Sequence, residues 1–293
     1  MKNPVLVATD GGDEAVHALQ FAAAYAAAED VPVEVVSVVA PLSDLPMPLP
    51  HRQELEHAHA QNAAEAVRSH LRDIVGPVTW PIHVNLGRPA PAICTIARKR
   101  AACMVILGVA SPDTEGNETA LELLHLAEKP VLVARSGRLP KAAVVGIDFR
   151  PSSVQTAQLA RTLLRPGGTL HLVHVKPSLD FPAASVWDWG PCYECAVEGG
   201  FDDLATHLSA GGTEVTWETR VGEPARVLIE VATERASDLL AIGSDGYICN
   251  DRVVVGRVAR ELLSGAPVPV LATPVTTRVQ GDFADLPSVR VEA

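Results

Sequence analysis

Short apolar runs alternate with stretches of helical periodicity along nearly the whole chain. In the first half, this alternation predicts strands near 5–9, 33–39, 80–86, 103–107 and 130–134, and helices near 13–29, 52–75, 90–101 and 118–127. In the second half, it predicts strands near 143–147, 169–175, 214–221, 238–242 and 268–272, and helices near 152–164, 197–210, 224–235 and 256–264. Strands that alternate with helices are typical of βαβ units, which indicates an α/β fold with a parallel sheet.

The second half of the pattern repeats the first. Asp10 and Asp148, each at the end of an apolar run, lie 138 positions apart. The segment 86–108 recurs as 221–243 at an offset of 135. Self-similarity at a nearly constant offset indicates one architecture used twice.

The repeat defines the expected domain organisation. We expect two five-stranded parallel-sheet domains, at 1–137 and 141–275, followed by a C-terminal tail at 276–293. The connection between the two domains is short, so we expect them to pack against each other.

Charge narrows the range of partners. The chain has 24 Lys and Arg against 35 Asp and Glu, a formal net charge of -11, which argues against binding to nucleic acid or to an anionic membrane. No apolar run approaches the roughly 20 residues that span a bilayer, and the N-terminus lacks a signal-peptide pattern. We therefore expect a cytoplasmic protein.

A spaced glycine pattern follows the fourth predicted strand of the second half. Gly243 and Gly246 enclose Ser244, and nine further residues separate Gly246 from Gly256, which gives G-x2-G-x9-G before a predicted helix. Ligands bind beyond the carboxyl ends of the strands in open parallel sheets. Glycines let the backbone come close to phosphate, and a helix N-terminus offers unpaired N–H donors, so the pattern predicts an anion nest that needs no basic side chain.

Several segments together resemble the universal stress protein family. They are the strand that ends at Asp148, the strand 172–175, and the segments 221–224, 243–246 and 267–271. The resemblance covers nearly the whole chain, twice. It implies Rossmann-like domains of the adenine nucleotide α-hydrolase type, ATP or another adenine nucleotide as ligand, with or without Mg2+, and a regulatory or protective role in the stress response.

The resemblance also implies a role for individual residues. Those facing the adenine and ribose are Ile147, Asp148 and the backbone at Val175, and those surrounding the ribose and phosphates are Gly243, Ser244, Gly246, Gly256 and Val258. After the third glycine the family has Ser or Thr, whereas this chain has Arg257. The Arg257 side chain either pairs with phosphate as a bidentate cation or fills the space that a hydroxyl leaves open. We favour the interpretation that nucleotide binding is tolerated.

The first half has lost most of the glycine pattern. It keeps Asp10 and Gly108 but has Ser111 and Asn117 in place of the second and third glycines, with only five residues between them. A loop this short cannot form the same nest. We expect the first half to be a scaffold or to bind something other than a nucleotide.

The family resemblance also bears on assembly. Single-domain members dimerise, often through the last strand, so we expect the segments 131–133 and 270–272 to pair across the two halves. The chain would then be an intramolecular pseudo-dimer. A further homodimer of whole chains stays open.

Two cysteines supply an alternative function. Cys192 and Cys195 lie in a predicted loop and can form a redox pair or half of a zinc site. A structural zinc needs four ligands, for which the candidates are His51, His57, His59 and His174. Zinc or thiol sensing is therefore one rival to nucleotide binding.

An ATP-using enzyme is a second rival. The sequence contains no Walker P-loop, no His-Glu-x2-His and no Gly-x-Ser-x-Gly motif. We expect nucleotide binding with at most slow ATP hydrolysis.

Overall fold

The computed structural model describes residues 2–41, 49–109, 117–176, 190–209, 212–244, 247–249, 252–254 and 256–274. Gly246 and the expected tail at 276–293 lie outside the described residues.

In the first half, the described elements follow the predicted order. They are β1 Val5–Ala8, α1 Val16–Glu29, β2 Val33–Val39, α2 Leu49–Val75, β3 Ile82–Leu86, α3 Pro89–Lys99, β4 Met104–Gly108, α4 Asn117–Leu126 and β5 Val131–Ala134. A 3-10 turn at Asp13–Ala15 leads into α1.

The second half repeats that order with one addition. Its elements are β6 Ala142–Gly146, α5 Pro151–Leu163, β7 Thr169–Lys176, α6 Gly190–Leu208, β8 Glu214–Val221, α7 Pro224–Glu234, β9 Leu239–Ser244, β10 Tyr247–Cys249, β11 Arg252–Val254, α8 Arg257–Gly265 and β12 Val270–Pro274. The antiparallel hairpin of β10 and β11 lies within the glycine-spaced loop and was not predicted.

The main strands form one sheet in the order β3-β2-β1-β4-β5-β12-β9-β6-β7-β8. Within this sheet, the pairings inside each half are parallel, and the order reverses between β1 and β4 and again between β6 and β9. The predicted α/β fold, with two tandem Rossmann-like domains and a mostly parallel sheet, is confirmed.

The two halves meet at an antiparallel seam between β5 and β12. Leu132 lies opposite Leu271 there, and both are fully buried. Arg135 adds a second link, because its Nη2 donates a hydrogen bond to the carbonyl oxygen of Leu263, 2.9 Å away at the end of α8. The pairing expected for the segments 131–133 and 270–272 is therefore present.

The central strands, such as β1, β4 and β5, are continuous apolar runs because helices cover both faces of the sheet. Leu6 of β1 packs in a core with α3, α4, α7 and α8. Val5 and Val7, which point to the opposite face, pack in a second core with α1, α2, α5 and α6. Burial on both faces explains why these strands read as continuous apolar runs rather than as alternating patterns.

A polar cluster around the buried Glu34 interrupts the first of these cores at the amino end of β2. The carboxylate of Glu34 accepts two hydrogen bonds from Arg100, each 2.7 Å long. Nε2 of His83, on β3, lies 2.6 Å from the same carboxylate. Burying a carboxylate without hydrogen-bonding partners costs free energy, and Arg100 and His83 supply partners to Glu34 from two sides.

The second half has the same cluster with acid and base exchanged between strands. His171 occupies the position on β7 that corresponds to Glu34, and Glu218 occupies the position on β8 that corresponds to His83. Nε2 of His171 lies 2.8 Å from Oε1 of Glu218, and Arg235 reaches the same oxygen at 3.5 Å. The contact has therefore been retained while the residues that make it changed places.

The Glu34 cluster predicts a pH-dependent stability difference. Hydrogen bonds from Arg100 lower the pKa of Glu34 below its ordinary value, so its stabilising contribution is present above the unfolded-state pKa of about 4.3 and is lost as the pH falls through the lowered folded-state pKa. We expect Glu34→Gln to lower the melting temperature most near pH 7 and progressively less below about pH 4. Thermal unfolding at several pH values measures this difference.

A matched control is Glu65→Gln, which removes an exposed carboxylate paired with Arg68. We expect it to change the melting temperature little at any pH, because exposed ion pairs contribute about 0 to 1 kcal/mol. A loss for Glu34→Gln that stayed constant down to pH 3 would contradict the proposed origin of the effect.

Candidate functional site

A cavity of about 220 Å³ lies at the carboxyl ends of β6 and β9, where the strand order of the second half reverses. This is the position at which open α/β sheets bind ligands. Five of the residues predicted from the sequence line it: Ile147, Asp148, Val175, Gly243 and Val258. They come from the ends of three strands and the start of α8.

Of the other predicted residues, three lie beside this cavity and one, Gly246, lies outside the described residues. Ser244 is the buried last residue of β9, Gly256 is the N-cap residue of α8, and Arg257 is the first residue of that helix. None of the three is among the residues that line the cavity. The structure therefore brings the strand ends together as predicted, whereas the prediction for Gly246 lies outside the described residues.

Asp148 is held by a tight local turn. Its Oδ1 accepts a hydrogen bond of 3.0 Å from the backbone N–H of Arg150, and Oδ2 lies 3.7 Å from the guanidinium Nε of Arg150. Phe149, between them, has a left-handed backbone with φ of 61°. About half of the Asp148 side chain stays exposed (52%), so its carboxylate retains acceptor positions for a ligand hydroxyl.

Sequence reasoning missed the role of His174 at this cavity, which it lines between Val173 and Val175. Its Nδ1 lies 2.7 Å from the carbonyl oxygen of Ile147, so this nitrogen carries the proton and donates. The hydroxyl of Tyr193 then donates to Nε2 at 2.6 Å. The contact ties the start of α6 to the wall of the cavity.

An aromatic cluster supports the same wall. The ring centroid of Phe149 lies 5.4 Å from that of His174 and 5.0 Å from that of Phe201. Phe201 in turn stacks on Trp217, with centroids 4.8 Å apart. These contacts hold the turn after Asp148 in place, because Phe149 is anchored by its side chain.

The Arg257 side chain is already occupied by carboxylates. It forms an ion pair with Glu223, which precedes α7, and its Nε lies 3.5 Å from Oε1 of Glu261. The sequence suggested two roles for Arg257, a phosphate contact or the filling of space in the site. For the first role, Arg257 has to exchange a carboxylate partner for phosphate. The guanidinium is exposed at the rim and does not fill the cavity.

The first half has a cavity of nearly the same size at the equivalent place, about 210 Å³. Asp10, Val38, Pro89, Ile93, Gly108 and Thr119 stand there where the second half has Asp148, Val175, Pro224, Leu228, Gly243 and Val258. The loss of glycines predicted that this half is a scaffold or binds something other than a nucleotide. The cavity has nevertheless been kept, because strand ends and helix starts build it rather than the glycine loop.

The predicted loop around the two cysteines is instead part of a helix. α6 begins at Gly190, so Cys192 and Cys195 lie on its first turns, and Cys195 is exposed and free. Pro191 indicated a loop but lies at the start of the helix, where its missing N–H costs nothing. Within the described residues, no group of three or more His, Cys, Asp or Glu side chains is placed to hold a metal ion.

The candidate zinc ligands of the first half lie far from these cysteines. His51, His57 and His59 are on α2, which packs against β3, whereas α6 packs against β8. These strands are the opposite edges of the ten-stranded sheet, about 40 Å apart at the usual strand spacing. Sequence reasoning left open whether the two sets converge, and the structure separates them.

The two partly buried cysteines, Cys94 and Cys103, are poor nucleophiles. Burial raises the pKa of the Cys94 thiol to about 11 and raises that of Cys103 as well. A thiol with a raised pKa contains little thiolate at neutral pH.

Among the described helices, we find none with the length and apolar character that a membrane crossing requires.

The chain is similar to known proteins over both halves. The Universal stress protein family matches residues 1–135 and 141–274. A universal stress protein of Mycolicibacterium smegmatis is 27% identical over 290 residues, which cover 91% of this chain and 95% of that protein. A universal stress protein of Methanocaldococcus jannaschii is 26% identical over 147 residues, 47% of this chain and 85% of that protein.

Solved structures show the same fold. The crystal structure of a universal stress protein from Archaeoglobus fulgidus has a TM-score of 0.70 at 17% identity and covers 94% of this chain and 99% of its own. Because the family matches nearly all of both halves, and relatives and fold agree with it, this chain belongs to the universal stress protein family.

Proposed function

We propose that the protein binds an adenine nucleotide in the cavity of its second half and acts as a regulatory or protective protein in the stress response. The observation that supports this best is the convergence of Ile147, Asp148, Val175, Gly243 and Val258 on one cavity. These residues come from four separate segments of the chain, and the sequence pattern and the family resemblance indicated each of them.

The chemistry of the cavity suits a nucleoside. Val175 and Leu228 offer apolar walls against which a base can pack, and Asp148 offers a carboxylate to the ribose hydroxyls. α7 and α8 both begin at the cavity, at Pro224 and just before Val258. Their N–H groups and dipoles favour an anion there, so the phosphates would extend towards Gly256 and the β10–β11 hairpin.

The proposed ligand is ATP, ADP or AMP. The nucleotide would bind with or without Mg2+, an ion that is usually held by one or two carboxylates together with substrate phosphates. The domains would extend over 1–137 and 141–275, with the tail at 276–293 outside both. The two halves would act as an intramolecular pseudo-dimer through the β5–β12 seam, in the cytoplasm.

Asp148 provides a direct test. We expect Asp148→Asn to weaken AMP binding about tenfold, because the neutral amide loses charge-assisted hydrogen bonds to the ribose hydroxyls. The melting temperature should change little, since the Asp148 side chain is half exposed. Isothermal titration calorimetry with AMP measures the affinity.

The repeat supplies the control. Asp10 holds the equivalent place in the first half, where its Oδ1 accepts a hydrogen bond from the N–H of Gly12. We expect Asp10→Asn to leave AMP affinity and stoichiometry unchanged. If Asp10→Asn weakens AMP binding and Asp148→Asn does not, the nucleotide site lies in the first half, and the proposal for the second half is wrong.

A further inference from the structure

An ion pair joins two helix N-termini at the rim of the second-half cavity. Glu223 is the N-cap residue of α7, and Arg257 is the first residue of α8. Nη2 of Arg257 donates to the Glu223 carboxylate, and Nε of Arg257 lies 3.5 Å from Oε1 of Glu261. The residues that follow the pair, Pro224 and Val258, both line the cavity. The pair therefore lies where the phosphates of a bound nucleotide would extend.

In the first half, an ion pair joins the equivalent helices, α3 and α4, with the positions of the positive and negative charge reversed. Arg88 occupies the position of Glu223, before α3, and it pairs with Glu122 of α4. Glu118 occupies the position of Arg257. The second half therefore has a guanidinium at the start of α8 together with a carboxylate that faces it, and this combination is absent from the equivalent described residues of the first half.

The Glu223 carboxylate occupies the electrostatic position of a ligand anion. It accepts from Arg257 and lies at the start of two helices, whose dipoles favour negative charge. An incoming phosphate has to compete with it for Arg257 and is repelled by it. Because Coulomb repulsion grows with the charge of the ligand, the penalty rises from adenosine, which has no phosphate, through AMP to ATP.

Other cations described at this rim do not offset the penalty. The guanidinium Nε of Arg150 already faces the Asp148 carboxylate at 3.7 Å. Lys176, at the end of β7, contacts Glu194 at 3.2 Å. Each of these positive charges is matched by a carboxylate, so additional phosphates gain little from them.

We propose that the Glu223–Arg257 ion pair sets the charge preference of the second-half cavity, so that it binds adenosine and AMP in preference to ATP. This inference rests on the proposed function, since it concerns the ligand class of the same cavity. Glu223 acts as a specificity-determining residue through Arg257 and through its own charge.

The test compares three ligands on three proteins by isothermal titration calorimetry. The ligands are adenosine, AMP and ATP without Mg2+, and the proteins are the full chain, Glu223→Gln and the control Glu230→Gln. We expect Glu223→Gln to raise ATP affinity about tenfold and AMP affinity about threefold, because it removes the repelling charge and leaves Arg257 with the longer contact to Glu261. Adenosine affinity should stay the same.

Glu230→Gln is a matched control on the same helix. It removes the same charge from α7, but Glu230 pairs with Arg226 and not with Arg257. We expect its affinities to stay within about twofold of the unchanged protein, because exposed charges are screened over about 10 Å at 0.1 M salt. Adding Arg257→Gln to Glu223→Gln should abolish most of the gain for ATP.

The outcomes separate the two proposals. If adenosine binds and Glu223→Gln leaves ATP affinity unchanged, the inference about the ion pair is overturned while nucleotide binding stands. An equal rise in ATP affinity in Glu230→Gln also overturns it, since net charge alone would then explain the gain. If neither adenosine, AMP nor ATP binds the full chain or Glu223→Gln, both proposals are overturned.

Discussion

Replacing Gly108 with alanine is expected to destabilise the protein by about 3 kcal/mol, the upper end of the usual cost of overpacking. The new Cβ would lie 1.8 Å from the carbonyl oxygen of Glu14, a backbone atom of the turn that leads into α1. Neither backbone can move without disturbing β4 or that turn. The expected fall in melting temperature is about 6 to 12 °C.

Gly199→Ala is the control for this prediction. Gly199 lies on α6, and a Cβ there meets nothing within 4 Å. Alanine in place of a helical glycine should stabilise the protein by about 0.5 to 1 kcal/mol. Circular dichroism melting of both variants measures the contrast. A melting temperature for Gly108→Ala equal to that of the unchanged protein would show that the turn before α1 can shift at no cost.

The same packing occurs in the second half, and it changes the interpretation of Gly243. A Cβ on Gly243 would lie 2.7 Å from Oγ of Ser152 and 2.8 Å from the backbone nitrogen of Ser153, at the start of α5. Sequence reasoning assigned this glycine to the approach of phosphate. The structure gives it a second role in the approach of a helix to the strand. A side chain at Gly243 would therefore change stability as well as ligand binding.

Leu132→Ala is expected to destabilise both halves, by about 3 kcal/mol in total. Leu132 is fully buried in the seam and lies opposite Leu271 of the other half. Removing its side chain leaves a cavity and deprives Leu271 of its cross-strand neighbour. Because the seam belongs to both domains, local opening should increase on each side of it.

Hydrogen exchange measured peptide by peptide tests this expectation. We expect protection to fall in peptides from β4 and β5 and equally in peptides from β9 and β12. Leu126→Ala is the control, since this leucine is 43% exposed and its loss should change stability by less than about 0.5 kcal/mol. A loss of protection confined to the first half would mean that the domains unfold independently despite the shared sheet.

The elements of the fold were predictable because the strands are buried on both faces and the pattern occurs twice. Asp148, Val175 and Gly243 could be indicated from the sequence because each follows or ends a predicted strand and matches the family resemblance. Their convergence follows from parallel topology, in which strand ends meet at one edge of the sheet. These parts of the site needed no knowledge of side-chain contacts.

The rest depended on contacts between residues that no local pattern connects. Tyr193 reaches His174 from a helix whose first turns resembled a loop, because Pro191 lies near their start. The exchange of Glu34 and His83 for His171 and Glu218 shows only when strand register is known. A single polar residue in an apolar strand does not indicate, from the sequence alone, which residue it contacts.

The first-half cavity was missed for a different reason. Ser111 and Asn117 showed that the phosphate loop had changed, which left a scaffold or a site for another ligand as the alternatives without indicating a cavity. Pro89 and Ile93 on α3 build the cavity wall independently of that loop. The shape of the cavity and the recognition of phosphate thus depend on separate segments of the chain, so one can change without the other.

The antiparallel seam also fixes where the two cavities open. Since β5 and β12 run in opposite directions, the carboxyl ends of the first-half strands point to one edge of the sheet and those of the second half to the other. Four strand spacings, about 19 Å, separate the two crevices across the sheet as well. That span exceeds the screening length of about 8 Å at physiological salt. A charge bound in one cavity is therefore largely screened at the other, and a flat partner that covers one cavity leaves the second open to solvent.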